Sequence, residues 1–369
     1  MVKENASVFI VSSPRHFVLS CVIAESAKKF NYPILVIADD FSGSPLFYEI
    51  MQSLIAKGSP FKKVYILKKK YAILAEKNFL IRLWLKRTRE YRQLKCYRFL
   101  SKKYNVVHIL TSQVNSVFTQ YFMNRVSKLN NVSCHYIEDG LFSYVDRPIK
   151  KVSFLSKLII RLKFGFNYQP PAQVGSSPWV TYAWLLNPKM AIKTIQQKIV
   201  YKVKRDWFNS QFMQKVSQKM LEAFDLDPDK IRELDVLIVL DVRRDMKKHN
   251  PNYDQELSKF IASCLMSNKN IGIKLHPRDS QSLANLNLPS EVINVSKSFP
   301  AELLLPFLSD NVVLVGDFST VFIDLKAMRP AINMQVVQTN KEDQSFNDFF
   351  LKNGVSVVEN YQKIGSVFG

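Results

Sequence analysis

The chain of 369 residues has little of what usually builds a metal centre or a disulfide scaffold. Its four cysteines, Cys21, Cys96, Cys134 and Cys264, are far apart and form no Cys-x-x-Cys pair. That argues against a disulfide framework or a thiolate zinc site and for free thiols in a reducing compartment. Its five histidines include no i, i+4 pair, so a histidine-based metal site has no visible ligands, and catalysis is expected to proceed without a protein-held metal or other cofactor. No apolar run approaches the roughly 20 residues needed to span a bilayer. The N-terminal "MVKENASVFIVSS" enters a strand too early for a signal peptide, so a soluble or peripheral protein is expected. There is no sequence repeat, no low-complexity tract and no helix-turn-helix, RNA-recognition or zinc-finger signature, so nucleic acid is not an expected partner.

Acids are missing from two stretches. Residues 61–105 hold 15 Lys and Arg against Glu76 and Glu90, and residues 147–205 hold 12 against no acid. These segments carry +13 and +12 of a formal net charge of +21, so the rest of the chain is slightly acidic. Charge of one sign gathered in this way attracts a polyanion, an anionic membrane or an acidic polysaccharide, although each segment alone also fits a solvated helix face. In the first segment Leu80, Trp84, Tyr91 and Leu94 share one face at helical spacing, with Arg82, Lys86 and Arg89 on the opposite one, which predicts a basic amphipathic helix. The second contains a similar mixture in "KVSFLSKLIIRLKF" (Lys151–Phe164), and either suits an anionic membrane surface.

What the chain has in quantity is apolar: 47% hydrophobic and 12% aromatic residues, enough for about two domains with substantial cores. Short β-branched runs alternate with helix-length segments. In the first half the predicted strands are Ser7–Ser13, Ile34–Asp39, Lys63–Leu67, Val106–Leu110 and Val132–Ile137; in the second they are Asp235–Asp241, Asn270–Leu275, Val292–Ser296, Val312–Asp317 and Ala331–Val336. This is the rhythm of βαβ units and parallel sheets. Between the halves lies "FNYQPPAQVGSSPW", rich in Pro, Gly and Ser, which reads as a connector. The expectation is an α/β chain of two domains facing across a cleft: 1–165, a connector at 166–180, and 181–369.

Ligands of open parallel sheets bind at the carboxyl ends of strands, and four motifs stand there or at a helix start. In "HYIEDGLFSYVD" a strand ends in Glu138 and Asp139, followed by Gly140; a plain turn is the alternative. Two adjacent acids raise one another's pKa by repulsion, which suits a general base. In "KLHPRD" His276 follows a strand and Pro277 stiffens the turn, though a structural histidine fits as well. In "GDFSTVFIDLKAM" Ser319 and Thr320 open a helix, as a phosphate site or an ordinary N-cap. In "SFPAELL" Glu302 falls in a first helical turn, where it favours the dipole or holds a ribose.

In that order the motifs resemble those of the bacterial sialyltransferases of the GT-B type: acid-acid-Gly, His-Pro, and Ser-Ser or Ser-Thr. The resemblance spans nearly the whole chain, and the Glu-Asp-Gly form and basic load look most like the capsular polysialyltransferases. It implies a GT-B fold of two Rossmann-like domains and an inverting, metal-independent transfer from CMP-sialic acid to the non-reducing end of polysialic acid. Glu138 would then be the general base, with Asp139 as neighbour or substitute. His276 would support the departing phosphate, with Pro277 beside it at the donor site; Ser319 and Thr320 would bind that phosphate, and Glu302 the ribose. A long anionic acceptor would run across Lys68, Lys69, Lys70, Arg82, Lys86 and Arg89, where counterion release favours it. The implied location is the bacterial cytoplasm, peripheral on the inner membrane and near capsule assembly proteins. A lipooligosaccharide sialyltransferase would share the motifs without needing so long a basic tract. A non-catalytic polyanion or membrane-surface binder would leave the strand-end acids and His-Pro unexplained.

Overall fold

The computed structural model describes residues 3–67, 78–129, 131–146, 152–164, 168–170, 173–279, 286, 288–338 and 344–364. The chain divides into two compact units, Met1–Met213 and Gln214–Gly369. The first holds a seven-stranded sheet of β1 (Asn5–Val11), β2 (Pro33–Ala38), β3 (Lys63–Leu67), β4 (Asn105–Thr111), β5 (Ser133–Ile137), β6 (Tyr182–Leu185) and β7 (Ile199–Lys202). All are parallel, in the order β3-β2-β1-β4-β5-β6-β7. Its α-helices of more than four residues, among those described, are α1 (Pro14–Ser26), α2 (Ser44–Ile55), α3 (Phe79–Lys103), α4 (Val117–Ser127) and α5 (Phe154–Phe164). Every residue of β2 is buried, as a parallel strand covered on both faces requires, which is why it reads as a continuous apolar run. Ser13 caps α1 by accepting from the His16 amide at 3.2 Å, and Pro14 opens the helix, so the chain turns immediately after β1.

The second unit repeats the plan with β8 (Val236–Val239), β9 (Ile271–Lys274), β10 (Ile293–Val295), β11 (Val313–Asp317), β12 (Asn333–Val337) and β13 (Ser356–Val358). The order is β10-β9-β8-β11-β12-β13, again all parallel. Its α-helices of more than four residues, among those described, are α6 (Gln211–Ala223, which crosses the boundary), α7 (Pro228–Arg232), α8 (Arg243–His249), α9 (Tyr253–Met266), α10 (Thr320–Met328) and α11 (Gln344–Lys352). In each sheet the chain lays down three strands in one direction and then returns past the first to continue in the other. The reversal falls between β1 and β4 and between β8 and β11, where loops diverge and leave a crevice. At the second reversal Gly316 is required by space: a Cβ there would stand 1.8 Å from the Val239 carbonyl oxygen.

All ten predicted strands form, but the domain boundary does not fall where composition put it. β6 and β7 extend the first sheet to Lys202, so the break comes after Met213 and not at 166–180. Much of the supposed connector is packed structure. Gly175, at φ +72°, lies so close to Ile195 and Tyr136 that a Cβ would come within 3.0 and 3.2 Å of them, and Asn115 donates to the Gln173 carbonyl at 3.0 Å. The predicted helix forms as α3, with a different face inward: Gln93, Tyr97, Leu100 and Ser101 are buried, whereas Leu80 and Tyr91 of the expected apolar stripe are exposed. The side chains of Arg82, Trp84, Lys86 and Arg89, and residues Lys68, Lys69 and Lys70, lie outside the described residues. Among the described residues no helix is long and apolar enough to cross a membrane.

Candidate active site

At the reversal point of the first sheet, the loops after β1 and β4 and the end of β5 converge on one acid. His16, in the first turn of α1, holds its Nε2 2.8 Å from Asp139 Oδ1. Its Nδ1 meets Ser112 Oγ, just after β4, at 2.8 Å and Ser12 Oγ at 3.2 Å. With Nδ1 held by hydroxyls, the Nε2 proton is directed to the carboxylate. The Asp139 backbone is pinned as well: its amide donates to Tyr136 Oη at 2.9 Å and Ser143 Oγ at 3.0 Å. Gly140 follows at φ +67°, a left-handed conformation that favours glycine and turns the chain into the short helix Gly140–Ser143. The Asp139 side chain is 44% exposed, whereas His16 behind it is buried.

Glu138 points the other way. Successive side chains at a strand end alternate in direction, so two consecutive acids cannot both face the crevice. Glu138 is fully buried and ion-paired to Arg15 Nη2, and it accepts from the Tyr144 hydroxyl and from the Leu186 amide, the latter at 2.6 Å. Arg15 Nη1 also donates to the Glu138 carbonyl at 2.6 Å. The carboxylate thus ties α1, the end of β5 and the end of β6 together. Burial, followed by the Glu138 charge, holds the Tyr144 phenol well above its usual pKa, so Tyr144 is a hydrogen-bond donor at neutral pH. The acid expected to take a proton is already engaged on both oxygens, and the one expected as its neighbour reaches solvent.

Asp139 forms part of the wall of a cavity of about 500 Å³. Asp40, Gln93, Ser112, Gln113 and Asn115 supply most of the remaining polar surface, with Phe118 and Val174 as apolar patches. Among the described residues no lysine or arginine lines it. Among the described residues the buried Asn115 Oδ1 has no hydrogen-bond partner. Of the two other histidines of this unit, His135 is buried in the core and His108 beside it is half-buried. Trp184 donates to His135 Nδ1 at 3.2 Å, His135 Nε2 lies 3.2 Å from His108 Nδ1, and burial pushes the His135 imidazole down to about 2.

In the second unit His276 and Ser319 stand just beyond β9 and β11, the two strands that flank β8. His276 follows β9, with Nδ1 accepting from the Arg278 amide at 3.1 Å and Nε2 4.0 Å from Asp241 Oδ1, just beyond β8. Burial lowers its pKa against the opposing charge of Asp241. Pro277 beside it is half-buried. Ser319 accepts from the Val321 amide at 3.4 Å as the N-cap of α10, and Thr320 is the first helical residue. Glu302 is buried in a short helical turn, where its charge partly offsets the burial that lowers Lys274 to about 8. The Lys274 ammonium itself donates to the Leu275 and Lys297 carbonyls, both at 3.4 Å. Asp317, at the end of β11, is fully buried and accepts from Tyr253 Oη at 2.5 Å, Tyr361 Oη at 3.0 Å and the Asp241 amide at 2.9 Å. Burial raises its pKa to about 6. Among the described residues no group of three or more His, Cys, Asp and Glu is placed to hold a metal.

No protein-family model matches this sequence, and no curated protein matches it. Solved structures do. An alpha/beta-galactoside alpha-2,3-sialyltransferase from the luminous marine bacterium Photobacterium phosphoreum superposes over 96% of this chain and 99% of its own, with a TM-score of 0.57 and 12% identity. The Arabidopsis thaliana protein UGT89C1 complexed with UDP-L-rhamnose covers 100% and 90%, at 0.51 and 10%. The wall teichoic acid polymerase TagF covers 98% and 79%, at 0.51 and 11%. The chain has the GT-B fold. Within that fold Arg15, His16, Ser112, Tyr144 and Asp241 are the site residues that motif reading missed. The rule that singled out Glu138 and His276, inspection of strand ends, would have found four of them: Arg15 and His16 follow β1 in "SSPRH", Ser112 follows β4, and Asp241 closes "DVLIVLD".

Proposed function

We propose that this GT-B chain is a metal-independent sialyltransferase that uses CMP-sialic acid, with Asp139 as general base. The observation that carries the assignment of the base is the Asp139–His16–Ser112 arrangement on the cavity wall. The donor rests on the order of the motifs along the chain. An acceptor hydroxyl in the cavity gives its proton to Asp139 while its oxygen forms a bond to C2 of sialic acid from the face opposite the phosphate. The bond from C2 to the phosphate oxygen breaks, its electron pair leaves on CMP, and the configuration inverts. His16 orients the carboxylate and stabilises its charge through the Nε2 proton. Glu138 is a positioning residue that holds Arg15 and the β5 turn. His276, Ser319 and Thr320 bind the departing phosphate at the second sheet.

The two basic segments support polysialic acid as the acceptor, since a polyanion is drawn to cations along its length. The cavity favours a second reading. Its two carboxylates and its amides and hydroxyls, with no cation among the described residues that line it, suit a neutral sugar at the reacting position. Incubation with CMP-sialic acid and either a labelled oligosialic acid or a labelled galactoside decides between them. A ladder on the first supports polymerisation, a single addition to the second supports the neutral acceptor, and no transfer to any acceptor, with no thermal shift by CMP, overturns the sialyltransferase proposal.

A further inference from the structure

Ten of the fifteen large apolar side chains that stand exposed among the described residues lie on two helices, α3 and α5. On α5 they are Phe154, Leu155, Leu158, Ile159 and Leu162, which are 82%, 66%, 40%, 56% and 68% exposed. At 3.6 residues per turn these positions cover one continuous arc of about 140° along a helix about 16 Å long. The opposite side of α5 is apolar too: Ile160 is half-buried, and Phe164 meets Phe118 of α4 edge to face at 5.2 Å. A helix that is apolar on both sides is either buried in protein or in contact with something other than water. One side of α5 has its protein neighbour, α4, and α4 packs against α3 as well.

The charge nearby indicates what the other side meets. α5 carries Lys157 and Arg161 between its apolar positions and has no acid, and the whole stretch 147–205 has none. On α3 the exposed Phe79, Leu80 and Ile81 open the helix in the other basic segment. An apolar strip on a helix that carries basic and no acidic residues, as α5 does, matches a bilayer surface, which offers acyl chains and anionic headgroups together over any area. We infer that the outward face of α5 docks on an anionic lipid surface, the helix lying in the interfacial plane with its five apolar side chains among the acyl chains and Lys157 at headgroup level. This inference is independent of the donor and acceptor assigned above.

The test is cosedimentation of the full chain with vesicles of phosphatidylcholine alone or mixed with phosphatidylglycerol, beside the triple variant Leu155→Gln, Ile159→Gln, Leu162→Gln. The three side chains are exposed, so the variant should keep the native melting profile. The native chain should bind the anionic vesicles, release in high salt and bind neutral vesicles weakly, and the variant should partition at least about tenfold less. Equal partition of native and variant overturns the inference, as does failure of the native chain to bind anionic vesicles. A native dimer that the variant abolishes, with no vesicle binding by either, assigns the face to a second copy and overturns it equally.

Discussion

The reversal points of the two sheets carry the same kinds of group with opposite electrostatic outcomes. Each has a fully buried carboxylate that ties strand ends together, Glu138 in the first and Asp317 in the second, and beside it a more exposed aspartate near a histidine. Glu138 is met by the Arg15 guanidinium. Among the contacts that hold Asp317 are two tyrosine hydroxyls and an amide, and burial lifts its pKa to about 6. The aspartate–histidine distances differ too: 2.8 Å for Asp139 and His16 against 4.0 Å for Asp241 and His276. One topology thus provides a preassembled acid–base pair in the first unit and a looser arrangement in the second. The teaching is that an acid at a strand end has two fates, staple or reactant, and direction along the strand decides which.

The sharpest way to break this comparison is to exchange the fates. Asp139→Asn keeps shape and hydrogen bonding but cannot accept the proton, so transfer should fall about a thousandfold while urea unfolding stays close to native. Glu138→Gln should do the reverse. Removing the charge of one partner of a buried ion pair should cost about 4 kcal/mol in the stability of the first unit, while the folded fraction retains most of its activity. Folded Glu138→Gln without transfer, beside active Asp139→Asn, would return the base to Glu138.

The second staple makes a prediction about pH. Asp317 has an ordinary carboxyl pKa of 3.8 when unfolded and about 6 in the fold. Because the folded value is raised, its contribution to stability is complete below about 4 and is lost as pH rises through 6. The shift of about two units corresponds to about 3 kcal/mol for a group with no solvent exposure. Asp317→Asn, which cannot ionise, should therefore gain on the native chain by about that amount between pH 4 and pH 7.5 in parallel urea titrations. A difference between the two proteins that does not change with pH would mean that Asp317 is ionised throughout.

These contrasts also mark what the sequence could reveal. The ten strands were legible because parallel strands buried on both faces must be apolar at nearly every position, and β2 and β8 are buried throughout. β7 was not, since it is an edge strand of four half-exposed or exposed residues. The domain boundary was misplaced because Pro, Gly and Ser mark a turn within a domain as readily as a linker between two. The Glu-Asp-Gly motif showed where chemistry would be, while the choice between its acids depended on direction. The alternation of side chains was available in the sequence, but Arg15 and Tyr144, which engage Glu138, become its neighbours only in the fold.

The smallest predicted effect concerns His276. The Arg278 amide donates to its Nδ1, so in the neutral ring the proton sits on Nε2, on the side of Asp241. Burial holds the imidazole below its ordinary pKa without ligand. A phosphate arriving at the end of β9 brings negative charge and should raise that pKa, so CMP binding near neutral pH should take up protons. Calorimetry in two buffers of different ionisation enthalpy measures this directly. His276→Ala should abolish the uptake and lower transfer about a hundredfold, the usual cost of losing one oriented donor to a developing anion, and milder than the loss of the base. Loss of transfer with proton uptake intact would place the linked proton on another group, and unchanged transfer in a folded His276→Ala protein would leave Ser319 and Thr320 to hold the phosphate alone.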